Sequence, residues 1–157
     1  MDFDSTSRKT NESTYLGFDF GEKNIGVAVG QRVTGTATAL ETIRVTSKKA
    51  LWDAVSRLVQ TWRPSAFVVG LPYNPEGEEN PIVEPIRRFC RQLESRYHLP
   101  VHTMDETLST RESREIFYRR RSKRSTHFAD VKDEIAAQLI LQTWLAHTAE
   151  KDAQHVR

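Results

Sequence analysis

The sequence predicts an α/β layered domain on a mixed five-stranded sheet, and three observations carry that prediction. Two short apolar strands flank a tight turn in YLGFDFGEKNIGVAVG, residues 15–30, and a β-branched stretch follows at 33–45. The continuous apolar run AFVVGL, residues 66–71, has the character of a buried strand parallel to a neighbour. Segments whose apolar residues step by three and four lie between and after these runs, giving the order βββαβαβαα. With 157 residues the chain has length for one domain and not for two.

Residues 1–14, MDFDSTSRKTNEST, are polar and charged and are expected to be a disordered tail. From Tyr15, period-2 alternation puts Leu16, Phe18 and Phe20 on one face and Gly17, Asp19 and Gly21 on the other. Val33 to Val45 is expected as a third strand, completing an antiparallel meander. Ser47 can cap a helix with the stripe Leu51, Val55, Leu58, Val59 and Trp62, and Pro64 lies just beyond its end. After the 66–71 strand, PYNPEGEENP (72–81) is a turn-rich loop where α/β proteins place ligand-handling segments, although a plain solvated connection suits it as well. Ile82, Pro85, Ile86, Phe89, Cys90, Leu93 and Tyr97 mark the next helix. Pro100 opens the strand VHTMDE, and Ser109 to Glu112 read as a capping box that starts another helix. The run Arg119-Arg120-Arg121-Ser122-Lys123-Arg124 is cationic at five of six positions and is either a solvated face or a phosphate contact. A last helix is expected from about Asp130 to His147, with Asp133, Ala136, Ala137, Ile140, Leu141 and Trp144 on one face. Residues 148–157 are expected to be a flexible C-terminal tail.

Composition narrows the function classes. A net charge of +2 makes any nucleic-acid surface local rather than global. The single cysteine, Cys90, excludes an intrachain disulfide and a thiolate zinc cluster, which suits a reducing compartment. No run reaches the ~18 apolar residues of a membrane span, and the leader lacks the apolar centre of a signal peptide, so a cytoplasmic protein is expected.

Three acids stand out. A carboxylate inside an apolar strand costs several kcal/mol, roughly, unless paired, hydrogen-bonded or bound to a cation, so Asp19 needs a partner. Glycines at 17 and 21 leave its face open to a phosphate or a hydrated metal; the alternative is solvent, or hydrogen bonds from the turn at Glu22 to Asn24. Glu106 falls at the C-terminal end of a strand, and Asp133 begins the buried face of the last helix. Asp130 and Asp133 also suit ordinary N-cap and first-turn positions. Carboxylates from separate elements are what a two-metal phosphodiester hydrolase requires, and hard cations take oxygen ligands. Such spacing alone is common among α/β domains.

DFGEKNIGVAVGQRVTGTA, GLPYNPEGEE, DETLST and VKDEIAAQLILQTWL, in that order over residues 15 to 147, resemble the YqgF (RuvX) family. That family is RNase H-like, described as Holliday-junction-resolvase-like and as maturing the 5′ end of pre-16S rRNA. The resemblance implies an RNase H-like nuclease domain at 15–147 with catalytic acids at Asp19, Glu106 and Asp133. It further implies Mg2+ or Mn2+, two ions with substrate bound, Asp19 bridging them, and Asp130 as a candidate fourth ligand. Arg119, Arg120, Arg121, Lys123, Arg124, Asn74 and Lys132 are the candidate nucleic-acid contacts. Two positions depart from the family pattern: Thr107 stands where Arg is common, and Val131 where Lys is frequent, with Lys132 beside the acid.

The expected partner is pre-16S rRNA or the pre-ribosome, with no membrane, the protein being a monomer or weak homodimer. A DNA junction resolvase on the same site is the alternative, and paired cuts would then need a two-fold dimer. A non-catalytic RNA-binding assembly factor is a third reading. The first motif also looks like the phosphate loop of actin-like kinases and ATPases, but these close two domains over nucleotide and this chain has length for one.

Overall fold

The computed structural model describes residues 14–72, 80–109, 111–122 and 128–155. Strands β1 (Thr14–Asp19), β2 (Asn24–Gln31) and β3 (Thr36–Arg44) form the meander, followed by α1 (Lys48–Trp62) and β4 (Ala66–Leu71). Then come α2 (Val83–Tyr97), β5 (Val101–Asp105), a 3-10 turn (Glu106–Leu108), α3 (Arg111–Ser122) and α4 (Phe128–His155). The sheet order is β3-β2-β1-β4-β5. The meander pairs antiparallel, whereas β4 lies parallel to both β1 and β5. Parallel neighbours need crossovers, and α1 and α2 supply them.

The alternation read from β1 decides which face each residue joins. Leu16 and Phe18 are fully buried with Ile25, Val27, Phe67 and Val69 under α1 and α2. Phe89 of α2 anchors this side, edge-on to Phe18 at 5.4 Å and stacked on Trp52 at 5.7 Å. On the opposite face Ala28, Ala37 and Ala66 stand with Tyr15, Val68 and Met104, and α4 lies on it through Ala137, Ile140, Leu141 and Leu145. A Cβ at Gly17 would come within 2.8 Å of the Leu141 Cβ, so the helix sits closer than a larger side chain would permit. Gln138 and Gln142 tie α4 to β3, donating to the Ala37 carbonyl at 2.9 Å and accepting from the Ala37 amide at 3.1 Å.

Helix α1 starts as expected. The Ser47 hydroxyl accepts from the Ala50 amide at 3.0 Å, and Arg63 closes the end in a left-handed conformation just before Pro64.

Several boundaries differ from the sequence expectation. The third strand begins at Thr36 rather than Val33, because β2 runs on to Gln31 and the chain turns through Gly35 at φ 66°. Val33 is consequently 85% exposed at the hairpin tip. The last helix starts at Phe128 and continues through residues 148–155, where a tail was expected. That stretch, TAEKDAQH, has no Gly or Pro and several strong helix formers, so nothing in it stops the helix. Among the described residues no helix is long and apolar enough to cross a membrane.

Candidate active site

Backbone register brings two of the three acids together before any side chain is considered. Asp19 ends β1 and pairs with Gly26 of β2. A Cβ at Gly26 would fall on the Asp133 carbonyl, so the first turns of α4 rest on the strand position opposite Asp19. Glu106 arrives from the other side, since β4 neighbours β1 and carries Gly70 at its C-terminal end. The Glu106 Oε1 lies 3.3 Å from where a Gly70 Cβ would be. Glycines at 26 and 70 thus make room for one acid each.

The adjacent Asp105 and Glu106 divide their work. Asp105 Oδ1 accepts from the Thr107 amide at 2.9 Å and from the Thr107 hydroxyl at 2.7 Å, capping the 3-10 turn. The Ser109 hydroxyl, expected in a capping box, donates to the Glu106 carbonyl at 3.1 Å and holds the same turn. Asp105 is therefore engaged by Thr107 in capping the turn, and Glu106 faces Gly70. Thr107, one of the two residues that depart from the family pattern, serves this cap.

The electrostatics follow from this placement. Burial pushes the Asp19 carboxyl up to about 7, with Glu106 and Asp133 adding to the rise and Lys132 opposing it. Burial also raises Glu106; Arg114 opposes the rise and Asp105 adds to it. Tyr118 is pushed up to about 12, by burial first and then by Asp19, Glu106 and Asp133. One phenol thus senses all three acids. Lysine and arginine moderate this cluster without neutralising it.

Tyr118 and Arg114 went unnoticed in the sequence. They stand four apart on α3, on one helical face, and with Glu106, Ser109, Leu139 and Ile140 they line a cavity of about 80 Å³. The available signal was that i, i+4 pairing directly after the acidic strand end. Leu139 belongs to a second buried side of α4, which packs toward α3 as well as the sheet.

The remaining expected residues divide by position. Lys132 is exposed beside Asp133, and Arg119 and Arg120 are exposed on α3 next to Tyr118. Arg121 and Asp130 occupy helical positions in α3 and α4, and their side chains lie outside the description. Asn74, Lys123 and Arg124 lie outside the described residues. Among the described residues no three His, Cys, Asp or Glu side chains are drawn together as a closed metal-binding group. The donor chemistry nonetheless suits a hard cation, being carboxylate oxygen throughout, with Asp19 raised to about 7 by burial first and by the other two acids after it.

Sheet order, crossovers and the acidic edge define an RNase H-like α/β domain. The chain belongs to the RuvX family, whose model, described as "Holliday junction resolvase", matches residues 13–147. A relative from Methylococcus capsulatus named "Putative pre-16S rRNA nuclease" is 61% identical over 134 residues, covering 85% of this chain and 89% of its own. A second of that name, from Legionella pneumophila, is 44% identical over 131 residues, covering 83% and 94%. Among solved structures, T. thermophilus RuvC in complex with Holliday junction substrate superposes at TM-score 0.56 with 14% identity, covering 84% of this chain and 92% of that one. The Fowlpox virus Holliday junction resolvase gives 0.51 at 15% identity, covering 85% and 99%. These structures share the fold.

Proposed function

We propose that this protein is a divalent-metal-dependent nuclease that hydrolyses phosphodiesters in 5′-end processing of pre-16S rRNA during ribosome biogenesis, in the cytoplasm. One observation carries the reading: the β1–β2 register and the close approaches at Gly26 and Gly70 bring Asp19, Asp133 and Glu106, from three separate elements, to one edge of the sheet, where burial first, and then the two other acids, lift Asp19 to about 7. A fold does not spend burial on mutually repelling carboxylates for stability alone. Asp19, Glu106 and Asp133 would hold Mg2+ or Mn2+, with Asp130 a candidate for a further contact. Two such ions, bound with substrate, would supply Lewis-acid activation of water and stabilisation of the leaving oxygen.

The protein's own groups prepare the setting. Tyr118 keeps its proton at neutral pH, so its hydroxyl remains a donor beside the acids. Arg114 lowers the cost of charging Glu106. Lys132, with the cationic positions 119–121 and 123–124, would meet backbone phosphates on either side of the cut, and Asn74 would border the groove. The names of the relatives support RNA as substrate.

The test is incubation of the purified protein with precursor 16S rRNA and Mg2+ or Mn2+. Cleavage near the 5′ end is expected, with loss in chelator and at least a ~100-fold drop for Asp19→Asn. Undiminished cleavage by that variant would end the proposal. RNA binding that survives chelation with no cleavage under any condition would favour a non-catalytic assembly factor.

The family description supports a second reading, resolution of DNA junctions on the same acids. Paired cuts in junction DNA by a two-fold dimer, with precursor RNA left intact, would favour it.

A further inference from the structure

The carboxylate edge lies on the α4 side of the sheet, and the outer surface of α2 lies on the other. Ile86, Phe89 and Leu93 turn inward against the sheet. The solvent side carries Arg88, Arg91, Gln92, Ser95 and Arg96, which line an open groove of about 420 Å³. Their spacing, i, i+3, i+4, i+7 and i+8, makes them one continuous stripe. Every lining side chain can donate hydrogen bonds, three are guanidinium groups, and none is acidic. In a chain whose net charge is only +2, this concentrates positive charge in one place.

The arginines are partly organised for an anion. The Arg96 guanidinium lies 4.3 Å over the Trp52 ring, which fixes its plane while leaving N–H groups at the edge. Arg91 holds Glu84 at 3.2 Å, and both are mostly exposed, so a phosphate can take that place at little cost. From residue 88 to 96 the helix advances ~12 Å, a length that meets about two or three phosphates along an extended single strand. Forked guanidinium groups match phosphate and carboxylate oxygens alike, and the nuclease reading of the carboxylate edge, on which this choice rests, makes a nucleic-acid backbone rather than an acidic peptide the anion this chain meets.

We propose that the α2 groove formed by Arg88, Arg91 and Arg96 is a second, non-cleaving phosphate-backbone site that takes a single-stranded flank of the bound nucleic acid on the sheet face opposite the carboxylates. The site engages the strand without regard to sequence and acts as a tether. It binds whether or not the carboxylate edge cleaves, so its success or failure is separable from that of the nuclease reading.

The experiment measures fluorescence anisotropy of a labelled RNA hairpin, with and without a long single-stranded flank, in chelator and over a salt series. Arg88→Gln/Arg91→Gln in the full chain should weaken binding of the flanked hairpin about 10-fold and reduce the salt slope by ~1.4, as expected for two lost phosphate contacts. The unflanked hairpin should bind unchanged. Arg88→Lys/Arg91→Lys should recover most of the salt slope and only part of the affinity. Arg96 is left in place because it packs on Trp52. Lys48→Gln/Lys49→Gln removes the same charge from α1 and serves as the control. The proposal is overturned if the arginine variant binds like the wild type, if the control weakens binding equally, if the flank adds nothing in the wild type, or if a poly-glutamate peptide displaces the flank at equal charge.

Discussion

Among the described residues, Asp19 is a carboxylate whose charge the fold holds at a cost, and that cost is measurable. Its carboxyl titrates near 3.8 in an unfolded chain and near 7 in the folded one. Between those values the folded chain binds more protons, so stability falls as pH rises from about 4 to about 7 and levels off above. Asp19→Asn removes this penalty. In chelator the variant should exceed the wild type by about 4 kcal/mol near pH 8 and by little near pH 4, read from urea melts at both pH values. Thr107→Val tests the neighbouring turn: it deletes the 2.7 Å hydroxyl bond to Asp105 but keeps the amide bond. About 1 kcal/mol of stability should be lost, with kcat falling more than KM changes, because the turn aims Glu106 without touching substrate. Steady-state kinetics and melts together distinguish this from simple unfolding.

Two elements meet at glycines, and there the packing is least forgiving. At Gly26 an added methyl would meet the Asp133 carbonyl, which is backbone and cannot swing aside. At Gly70 it would meet the end of the Ile140 side chain at 2.5 Å, which can move. Gly26→Ala should therefore cost 3 kcal/mol or more, roughly, and Gly70→Ala about 1–2 kcal/mol, both read from thermal or urea unfolding. The sequence made much of this site legible, since alternation along β1 separated Phe18 from Asp19, and the stripe of α4 placed Asp133 at the start of a buried face. Side-chain periodicity does not say which glycine lies beneath which turn, so the closeness of Gly26 to Asp133 had no sequence signal. Arg114 and Tyr118 escaped for a related reason: α3 is polar at most positions, so its inward face has too few apolar residues to show a stripe. The β3 start and the α4 end moved because local turn chemistry and helix propensity, rather than hydrophobic pattern, decide where elements stop.

For the molecule as a whole, the proposed cation site at the acidic edge would couple ion binding to folding. An ion held only by the native arrangement raises the unfolding temperature in proportion to the logarithm of its concentration. Millimolar Mn2+ should raise the wild-type melting temperature by several degrees and leave Asp19→Asn almost unmoved, as followed by calorimetry. A wild type indifferent to Mn2+ and Mg2+ would remove the cations from the proposed chemistry. The order in which the acids occur along the chain has a further consequence. Asp19 and Glu106 stand at the two ends of the β1-to-β5 stretch, whereas Asp133 comes only with the helix that lies across the finished sheet. A nascent polypeptide halted before residue 128 would carry two of the three carboxylates and no lid of helix over its glycines. On the reading proposed above, hydrolytic competence would then switch on late in synthesis, once the final segment has left the exit tunnel and docked.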